Sequence, residues 1–197
     1  MLQHYLSEKI ICGVDEAGRG CIAGPVVAAA VILPENFNHE LINDSKKLNE
    51  KDRNELTQII KRNAVAYGIG VIDNLTIDKV NILQATYLAM HQAIAQLKTK
   101  PELLIIDGNR FKPYPKIEHQ TIIKGDATYI EIAAASILAK THRDKLMYAY
   151  AKNFPQYKWE KNKGYPTLEH KKTVWRFGYS PLHRLTFNIN KQLVLFD

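Results

Sequence analysis

The sequence predicts an α/β fold, in which a central β-sheet is flanked by helices. Over residues 1–153, short apolar segments rich in β-branched residues alternate with longer segments whose apolar residues recur at helical spacing. The chain has 197 residues, 46% of them hydrophobic, which is enough to build one full core. We expect one α/β domain over residues 1–153 and a small cap of helices and loops over residues 154–197.

Five segments have the composition and length of β-strands. The first two are separated by a loop short enough for a hairpin, and the fourth is wholly apolar until its final acid, which favours a central position in the sheet. The predicted strands are residues 9–14, 26–33, 64–72, 103–107 and 120–123.

Four segments show helical periodicity. Asn49 is suited to cap the first of them, and the second carries apolar residues at helical spacing from Ile77 to Leu97. The last lies in the C-terminal segment, which is richer in aromatic, proline and basic residues. The predicted helices are residues 50–63, 74–97, 128–153 and 168–177.

The charge balance is basic, with 27 lysines and arginines against 20 acids and a net charge of +7. This balance suits a nucleic-acid enzyme, in which cations hold phosphates while a few carboxylates hold metal. A soluble basic protein without such a partner has the same composition, so charge alone leaves both interpretations open.

Cysteine usage and hydropathy predict a cytoplasmic protein. Cys12 and Cys21 have no Cys or His neighbours at zinc-type spacing and are expected to be free thiols, which suits a reducing cytosol. We find no signal peptide, and the longest apolar run, residues 23–33, contains Gly24 and Pro25 and is too short to span a bilayer. No feature requires an oligomer, so we expect a monomer without membrane contact.

Four carboxylates follow apolar segments and together predict a metal site. Asp15 and Glu16 come after the first predicted strand, Asp107 ends the fourth, and Asp126 follows the fifth. In open α/β sheets, sites form outside the carboxyl ends of strands. Hard divalent ions such as Mg²⁺ or Mn²⁺ take oxygen ligands and offset the repulsion within such a cluster. We expect two ions, about 4 Å apart, to promote displacement at a phosphate.

Each of these acids also has an ordinary structural explanation. Asp15 and Glu16 fit the exposed tip of a hairpin. Asp107 precedes a glycine in a common turn signal, and Asp126 is suited to cap the following helix. The repeated placement of acids after hydrophobic strands favours the metal site. Other acids fall on polar helix faces and are expected to be solvated: Asp52, Glu55 and Asp144.

The sequence Gly18-Arg19-Gly20 follows the first two acids and predicts a substrate-binding turn. Glycines let backbone N–H and C=O groups approach a ligand closely. A ribose 2′-hydroxyl both donates and accepts hydrogen bonds, so exposed backbone recognises it well. A plain hairpin turn explains the same residues equally well.

Four further residues are candidates for nucleic-acid binding. Lys46 and Lys47 lie in a polar loop and suit phosphate contacts, and Arg184, with His183 beside it, adds positive potential late in the chain. Tyr165 lies beside a glycine and near lysines, where its ring is able to stack on a sugar or base. Surface lysines and a core tyrosine are the alternatives.

These residues fall within motifs that resemble the prokaryotic ribonuclease HII family over nearly the whole chain. The resemblance rests on seven blocks in order: Gly13 to Gly20, Asp44 to Leu48, Ile106 to Asn109, Lys124 to Asp126, Ala133 to Lys140, Lys163 to Thr167, and His183-Arg184. Cys21, Thr141-His142 and Thr186 depart from the family pattern without touching the four acids.

The resemblance implies an RNase H-like fold with a C-terminal helical extension. It also implies hydrolysis of the RNA strand of RNA–DNA hybrids, with nicking 5′ to single ribonucleotides in duplex DNA to leave 3′-hydroxyl and 5′-phosphate ends. Magnesium or manganese is the implied cofactor. By the family pattern, Asp15, Glu16, Asp107 and Asp126 are the catalytic metal ligands, the turn from Gly18 to Gly20 reads the 2′-hydroxyl, and Tyr165 packs on the neighbouring deoxyribose.

The sequence is also compared with two alternative functions. A ribonuclease HIII type prefers longer hybrids, but it usually carries an extra N-terminal domain, and only about eight residues precede the first predicted strand here. A non-catalytic hybrid-binding protein would have lost some of the four acids, which are all present.

The final residues suggest a protein partner. The sequence Gln-Leu-Val-Leu-Phe resembles the short peptide by which bacterial proteins dock on the DNA-polymerase sliding clamp, with apolar anchors and a polar locator. Packing of the same apolar side chains on the body is the alternative. The residues concerned are Gln192, Leu193, Leu195 and Phe196.

Overall fold

A computed structural model describes residues 2–39, 42 and 49–189, and confirms an α/β fold. Its centre is a five-stranded sheet in the order β3-β2-β1-β4-β5. The first three strands are antiparallel neighbours, whereas β1, β4 and β5 run parallel. The strands are β1 (Ile11–Ala17), β2 (Val26–Ile32), β3 (Ala66–Ile72), β4 (Leu103–Asp107) and β5 (Glu118–Ile122).

Helices cover both faces of this sheet, which explains why β2 is buried along its whole length. Its even-numbered residues pack against one helical layer and its odd-numbered residues against the other. The first layer is formed by α2 (Asn74–Val80) and α3 (Ile82–Ala95), and the second by α1 (Glu50–Asn63) and α4 (Ile130–Asn153).

The backbone of helix α4 lies directly against Gly13 of β1. A Cβ atom at this position would overlap the backbone of Glu131 and Ile132. Glycine therefore allows α4 to lie directly on β1, which brings this helix beside the first acidic pair.

The C-terminal segment contains α5 (Trp159–Asn162) and α6 (Leu168–Phe177). Its core forms around the fully buried Trp159, which shares a hydrophobic cluster with Ile22, Ala23 and Met147 from the preceding body. The cap therefore packs onto the loop that follows β1 and onto the outer half of α4.

The predicted helix over residues 74–97 is two helices, and this expectation was wrong. Asn81 has a φ of 67°, and its side chain accepts hydrogen bonds from the N–H groups of Leu83 and Gln84, so that it caps a new helix. The apolar spacing continues across this break, which is why periodicity alone did not reveal it.

Two simpler expectations can also be compared with the structure. Cys12 and Cys21 are both buried free thiols, as expected. Within the described ranges, every helix is too short or too polar to cross a bilayer.

Candidate active site

Asp15 and Asp107 lie on neighbouring strands and face the same side of the sheet. Val14 of β1 is paired with Ile106 of β4, so the acid that follows each of them occupies the next position outward. Both point toward α4, because Ile105, two residues before Asp107, packs there with Ile132. β1 continues to Ala17, so Asp15 belongs to the strand itself and not to an exposed hairpin tip.

Asp15 is almost fully buried and is held by its neighbours. Its Oδ1 atom accepts a hydrogen bond of 2.7 Å from the backbone N–H of Glu16. The hydroxyl group of Ser136 on α4 lies near this carboxylate and favours its ionised form. The close approach of α4 at Gly13 therefore places a polar group beside the first acid.

Glu16 points to the other side of β1, where it forms an ion pair with Arg19. The distance between Arg19 Nη1 and Glu16 Oε1 is 3.0 Å. The arginine of the Gly18-Arg19-Gly20 turn is half-exposed and is thus tied to one of the four predicted metal ligands.

Asp126 is held near Asp107 by a hydrogen bond from the backbone of the preceding residue, Gly125. The N–H of Gly125 donates a hydrogen bond of 2.8 Å to Asp107 Oδ1, which fixes the short 3₁₀ turn of residues 125–127 against the end of β4. Asp126 is buried in this turn, just before α4.

Three of the carboxyl groups are close enough to disfavour ionisation of one another. Burial raises the pKa of Asp15 well above its usual range, and the negative charges of Glu16 and Asp107 raise it further. Burial also raises the pKa of Glu16; Arg19 opposes this effect and Asp107 adds to it. The carboxyl ends of β1 and β4 therefore concentrate negative charge that Arg19 offsets only in part.

This donor set fits a hard divalent cation, since all of its ligands are carboxylate oxygens. The side chains are not yet assembled as a binding site: in the part of the chain that the structure describes, no three Asp, Glu, His or Cys residues are positioned to hold a metal ion.

Glu16 lies between two surface depressions. One has a cavity volume of about 320 Å³ and is lined on its far side by Lys140 and Tyr165. The other contains Asp107 and Arg110. A strand of nucleic acid that follows both depressions would cross directly over the acidic cluster.

The predicted substrate-binding turn borders the first depression. Gly18 has a φ of 95°, which a residue with a side chain adopts only under strain, and a Cβ atom there would overlap the side chain of Arg143. Arg19 and Gly20 are exposed. Gly18 itself is buried, so the exposed part of the turn beside Glu16 is Arg19 and Gly20.

Tyr165 lies on the same depression and is 39% exposed. Lys140 Nζ lies 5.4 Å from the centre of its ring. The buried Cys21 lies near this tyrosine, whose side chain is therefore partly enclosed and partly accessible.

Arg184 was expected to bind substrate, and the structure corrects this. Its side chain is fully buried and donates three hydrogen bonds to main-chain carbonyl groups, including those of Gly18 and Arg19. It lies beneath the substrate-binding turn and has no surface from which to contact a phosphate.

Two other charge assignments also differ from expectation. Asp144 is buried and not solvated, because Lys140 Nζ lies 2.8 Å from its Oδ1 atom and Arg53 approaches from α1. His183 adds no positive potential: burial and the adjacent His170 lower its pKa to about 4.

Two predicted lysines and the four predicted residues of the tail fall outside the part of the chain that the structure describes. Lys46 and Lys47 lie outside the described residues, as do Gln192, Leu193, Leu195 and Phe196 of the tail.

Sequence reasoning missed Ser136, Lys140 and Arg143. All three lie on α4 one turn or so apart, and the first two face the acidic cluster and Tyr165. Their spacing on one helix was visible in the sequence, but its significance depends on α4 packing against β1.

Solved structures show which class of fold this is. The PCNA:RNase HII complex from Archaeoglobus fulgidus superposes with a TM-score of 0.76 over 91% of this chain and 95% of that one, at 23% identity. Bst-RNase HIII in complex with Mn²⁺ superposes with a TM-score of 0.74 over 93% of this chain and 68% of that one, at 18% identity. The chain therefore has an RNase H-like fold.

Sequence comparison defines the family more narrowly. The family model of ribonuclease HII matches residues 12–190. A ribonuclease HII from Bacteroides fragilis is 56% identical to this chain over 200 aligned residues, and the alignment covers 100% of both chains. The chain belongs to the ribonuclease HII family, and it is a hydrolase that cleaves RNA in RNA–DNA hybrids.

Proposed function

We propose that Asp15, Glu16, Asp107 and Asp126 hold two divalent ions, Mg²⁺ or Mn²⁺, at the edge of the sheet. The observation that carries this proposal is geometric: Asp15 and Asp107 follow paired residues of β1 and β4, and a hydrogen bond from Gly125 to Asp107 holds the turn of Asp126 beside them. When bound, such ions supply an activated water and stabilise the leaving oxygen of a phosphodiester. The Mn²⁺ complex of the HIII neighbour supports the choice of metal.

The substrate is a ribonucleotide within a duplex, and the nick falls on its 5′ side to leave 3′-hydroxyl and 5′-phosphate ends. Backbone groups of Gly18, Arg19 and Gly20 bind the ribose 2′-hydroxyl, which both donates and accepts. Tyr165 packs on the adjacent deoxyribose from across the depression. Lys46 and Lys47 hold flanking phosphates.

This proposal is tested with three DNA duplexes that carry no ribonucleotide, one ribonucleotide or a tract of four. Each is incubated with the full chain in the presence of Mg²⁺, Mn²⁺ or a chelator. We expect cleavage 5′ to the single ribonucleotide with either metal and none with the chelator. Cleavage of the tract alone would indicate a preference of the HIII type, and binding without metal-dependent cleavage would overturn the proposal.

The tail is proposed to dock on a bacterial sliding clamp, with Leu195 and Phe196 as apolar anchors and Gln192 as the polar locator. A neighbouring RNase HII was solved in complex with PCNA, which supports a clamp as the class of partner. A pull-down with the clamp should retain the intact chain and lose a variant that carries both Gln192→Ala and Phe196→Ala. Equal retention would dismiss this role.

We further propose that the protein acts as a monomer in the cytoplasm. The two buried free thiols are suited to a reducing compartment. Light scattering on the purified chain should give the mass of one copy, and a dimer mass would contradict the proposal.

A further inference from the structure

Two arginines of this protein are fully buried without a carboxylate partner. Among the described residues, no acid lies within salt-bridge distance of Arg143 or Arg184. Burial lowers the pKa of Arg184 to about 10, with a further contribution from Arg143, so its guanidinium group still carries a charge at neutral pH. A buried charge is costly, which indicates that the contacts of these two side chains have a specific purpose.

Each guanidinium group donates three hydrogen bonds to main-chain carbonyl groups. The guanidinium nitrogens of Arg184 lie 2.8–3.0 Å from the carbonyl oxygens of Gly18, Arg19 and Gly24. They therefore contact both ends of the loop that contains the substrate-binding turn. All three hydrogen bonds of this guanidinium group lie within that loop. Arg184 therefore determines the shape of the turn.

Arg143 connects this loop to the segment that carries the exposed tyrosine. Its Nε and Nη2 atoms donate to Pro25 and Ala23, while Nη1 donates to the carbonyl group of Lys163 at 2.8 Å. Lys163 is two residues from Tyr165. The Arg143 guanidinium carbon also lies 5.9 Å from the centre of the Tyr165 ring.

Gly18 allows this arrangement, because any Cβ atom there would displace the Arg143 side chain. One backbone hydrogen bond, from Ile22 to Gly164, also joins the two segments. The planar fork of Arg143 adds a bond to Lys163 in one segment and two bonds to Pro25 and Ala23 in the other, and so fixes their separation and orientation.

We propose that Arg143 is a positioning residue that holds Tyr165 at a fixed distance from the turn of Gly18, Arg19 and Gly20, and so sets the preference for a ribonucleotide–deoxyribonucleotide junction. This proposal rests on the proposed function, in which the turn binds the ribose and the tyrosine packs on the next sugar. Two sensors of adjacent sugars discriminate a junction only if their spacing matches the spacing of the sugars.

The test uses Arg143→Lys, which keeps the charge but lacks the fork. The ratio of kcat/KM on a single-ribonucleotide duplex to kcat/KM on a continuous RNA–DNA hybrid is measured for both proteins. We expect Arg143→Lys to lower this ratio by about tenfold. Arg62→Lys, at an exposed position of α1, should leave it unchanged.

A double-variant cycle separates positioning from loss of folded protein. If Arg143 acts through Tyr165, then Arg143→Lys in a Tyr165→Ala background should change the ratio by less than about twofold. An equal fractional loss in both backgrounds, or equal loss on both substrates, would overturn the proposal. Arg143→Gln replaces Arg143→Lys if the latter does not fold, and failure of both variants to fold would also overturn it, since the role would then be structural.

Failure of this inference is distinguishable from failure of the proposed function. If wild-type protein nicks the single-ribonucleotide duplex and Tyr165→Ala lowers the ratio, the proposed function stands whatever Arg143→Lys does. If Tyr165→Ala leaves the ratio unchanged, the assignment of Tyr165 is wrong and the inference fails with it.

Discussion

Asp107 Oδ1 accepts a hydrogen bond of 2.8 Å from the backbone N–H of Gly125. This contact joins the end of β4 to the turn that carries Asp126, although the two segments are separated by a loop and by β5. The positions of two predicted metal ligands are therefore coupled, so that a change in one carboxylate affects the placement of the other.

Asp107→Asn should abolish turnover while preserving the fold and substrate binding. The amide oxygen is still able to accept the Gly125 N–H bond, but the anionic ligand is lost. We expect kcat to fall on the order of a hundredfold or more. Single-turnover cleavage assays measure the rate, and fluorescence anisotropy in chelator measures binding.

Glu55→Gln is the matched control for this variant, because Glu55 is an exposed acid on α1. It should retain the wild-type rate. Near-normal turnover by Asp107→Asn would show that Asp107 has no role in the reaction.

Asp15→Asn should stabilise the protein at neutral and alkaline pH in the absence of metal. Burial and neighbouring acids raise the pKa of Asp15 in the folded state, so the folded protein binds more protons than the unfolded chain between about pH 4 and that raised pKa. Ionisation of Asp15 therefore reduces the free energy of unfolding as pH rises through the raised pKa. Below about pH 4 both states are protonated, and this penalty disappears.

Calorimetric melting in chelator measures this effect as a function of pH. A stabilisation of about 1 kcal/mol corresponds to a rise in Tm of about 2–4 °C for a chain of this size. The difference between variant and wild type should vanish as pH falls toward 4. A Tm at pH 8 that is equal to or below that of wild type would contradict the assigned repulsion.

Tyr165→Ala should impair cleavage at a single ribonucleotide far more than it destabilises the fold. The ring is 39% exposed, and stacking on a nucleotide contributes about 1–3 kcal/mol, so we expect kcat/KM to fall about tenfold. Tyr67→Ala is a close control, since Tyr67 is 38% exposed and has a lysine 5.5 Å from its ring centre. Equal activities of the two variants would show that Tyr165 does not contact the substrate. A large fall in the Tm of Tyr165→Ala would instead show that its main role is in packing.

The strands, and the acids that follow them, could be recognised in the sequence because their signals are local. Residues 103–106 are all apolar, and the acid that follows them stands out. The location of Asp15 within β1, and not beyond it, depends on pairing with β2, which extends β1 to Ala17. Strand pairing of this kind is a long-range property that composition does not reveal.

The buried arginines could not be predicted, for a related reason. Charged residues are expected at the surface unless acceptors are known. The acceptors of Arg184 are carbonyl groups of residues 18, 19 and 24, which lie at the other end of the sequence. Asp144 was similarly misplaced, because Arg53 reaches it from a different helix.

Two buried histidines provide a final prediction. The N–H of Ser180 donates to His183 Nδ1, so the proton of this ring is on Nε2, which faces His170 Nε2 at 3.2 Å. Trp159 also donates to His170 Nε2, and the His170 proton is therefore on Nδ1, within 2.9 Å of the carbonyl oxygen of Tyr165. Both rings are neutral in this arrangement.

Nitrogen-15 NMR of the imidazole rings should show these two tautomers and a pKa of about 4 for His183. Between pH 4 and about 6.5, the unfolded chain would bind a proton that folded His183 does not. The stability contributed by this ring is therefore complete above about pH 6.5 and is lost as pH falls toward 4. If His183 titrates near 6.5 instead, the ring is accessible to water, and the hydrogen-bonded chain from Ser180 to Tyr165 is not maintained in solution.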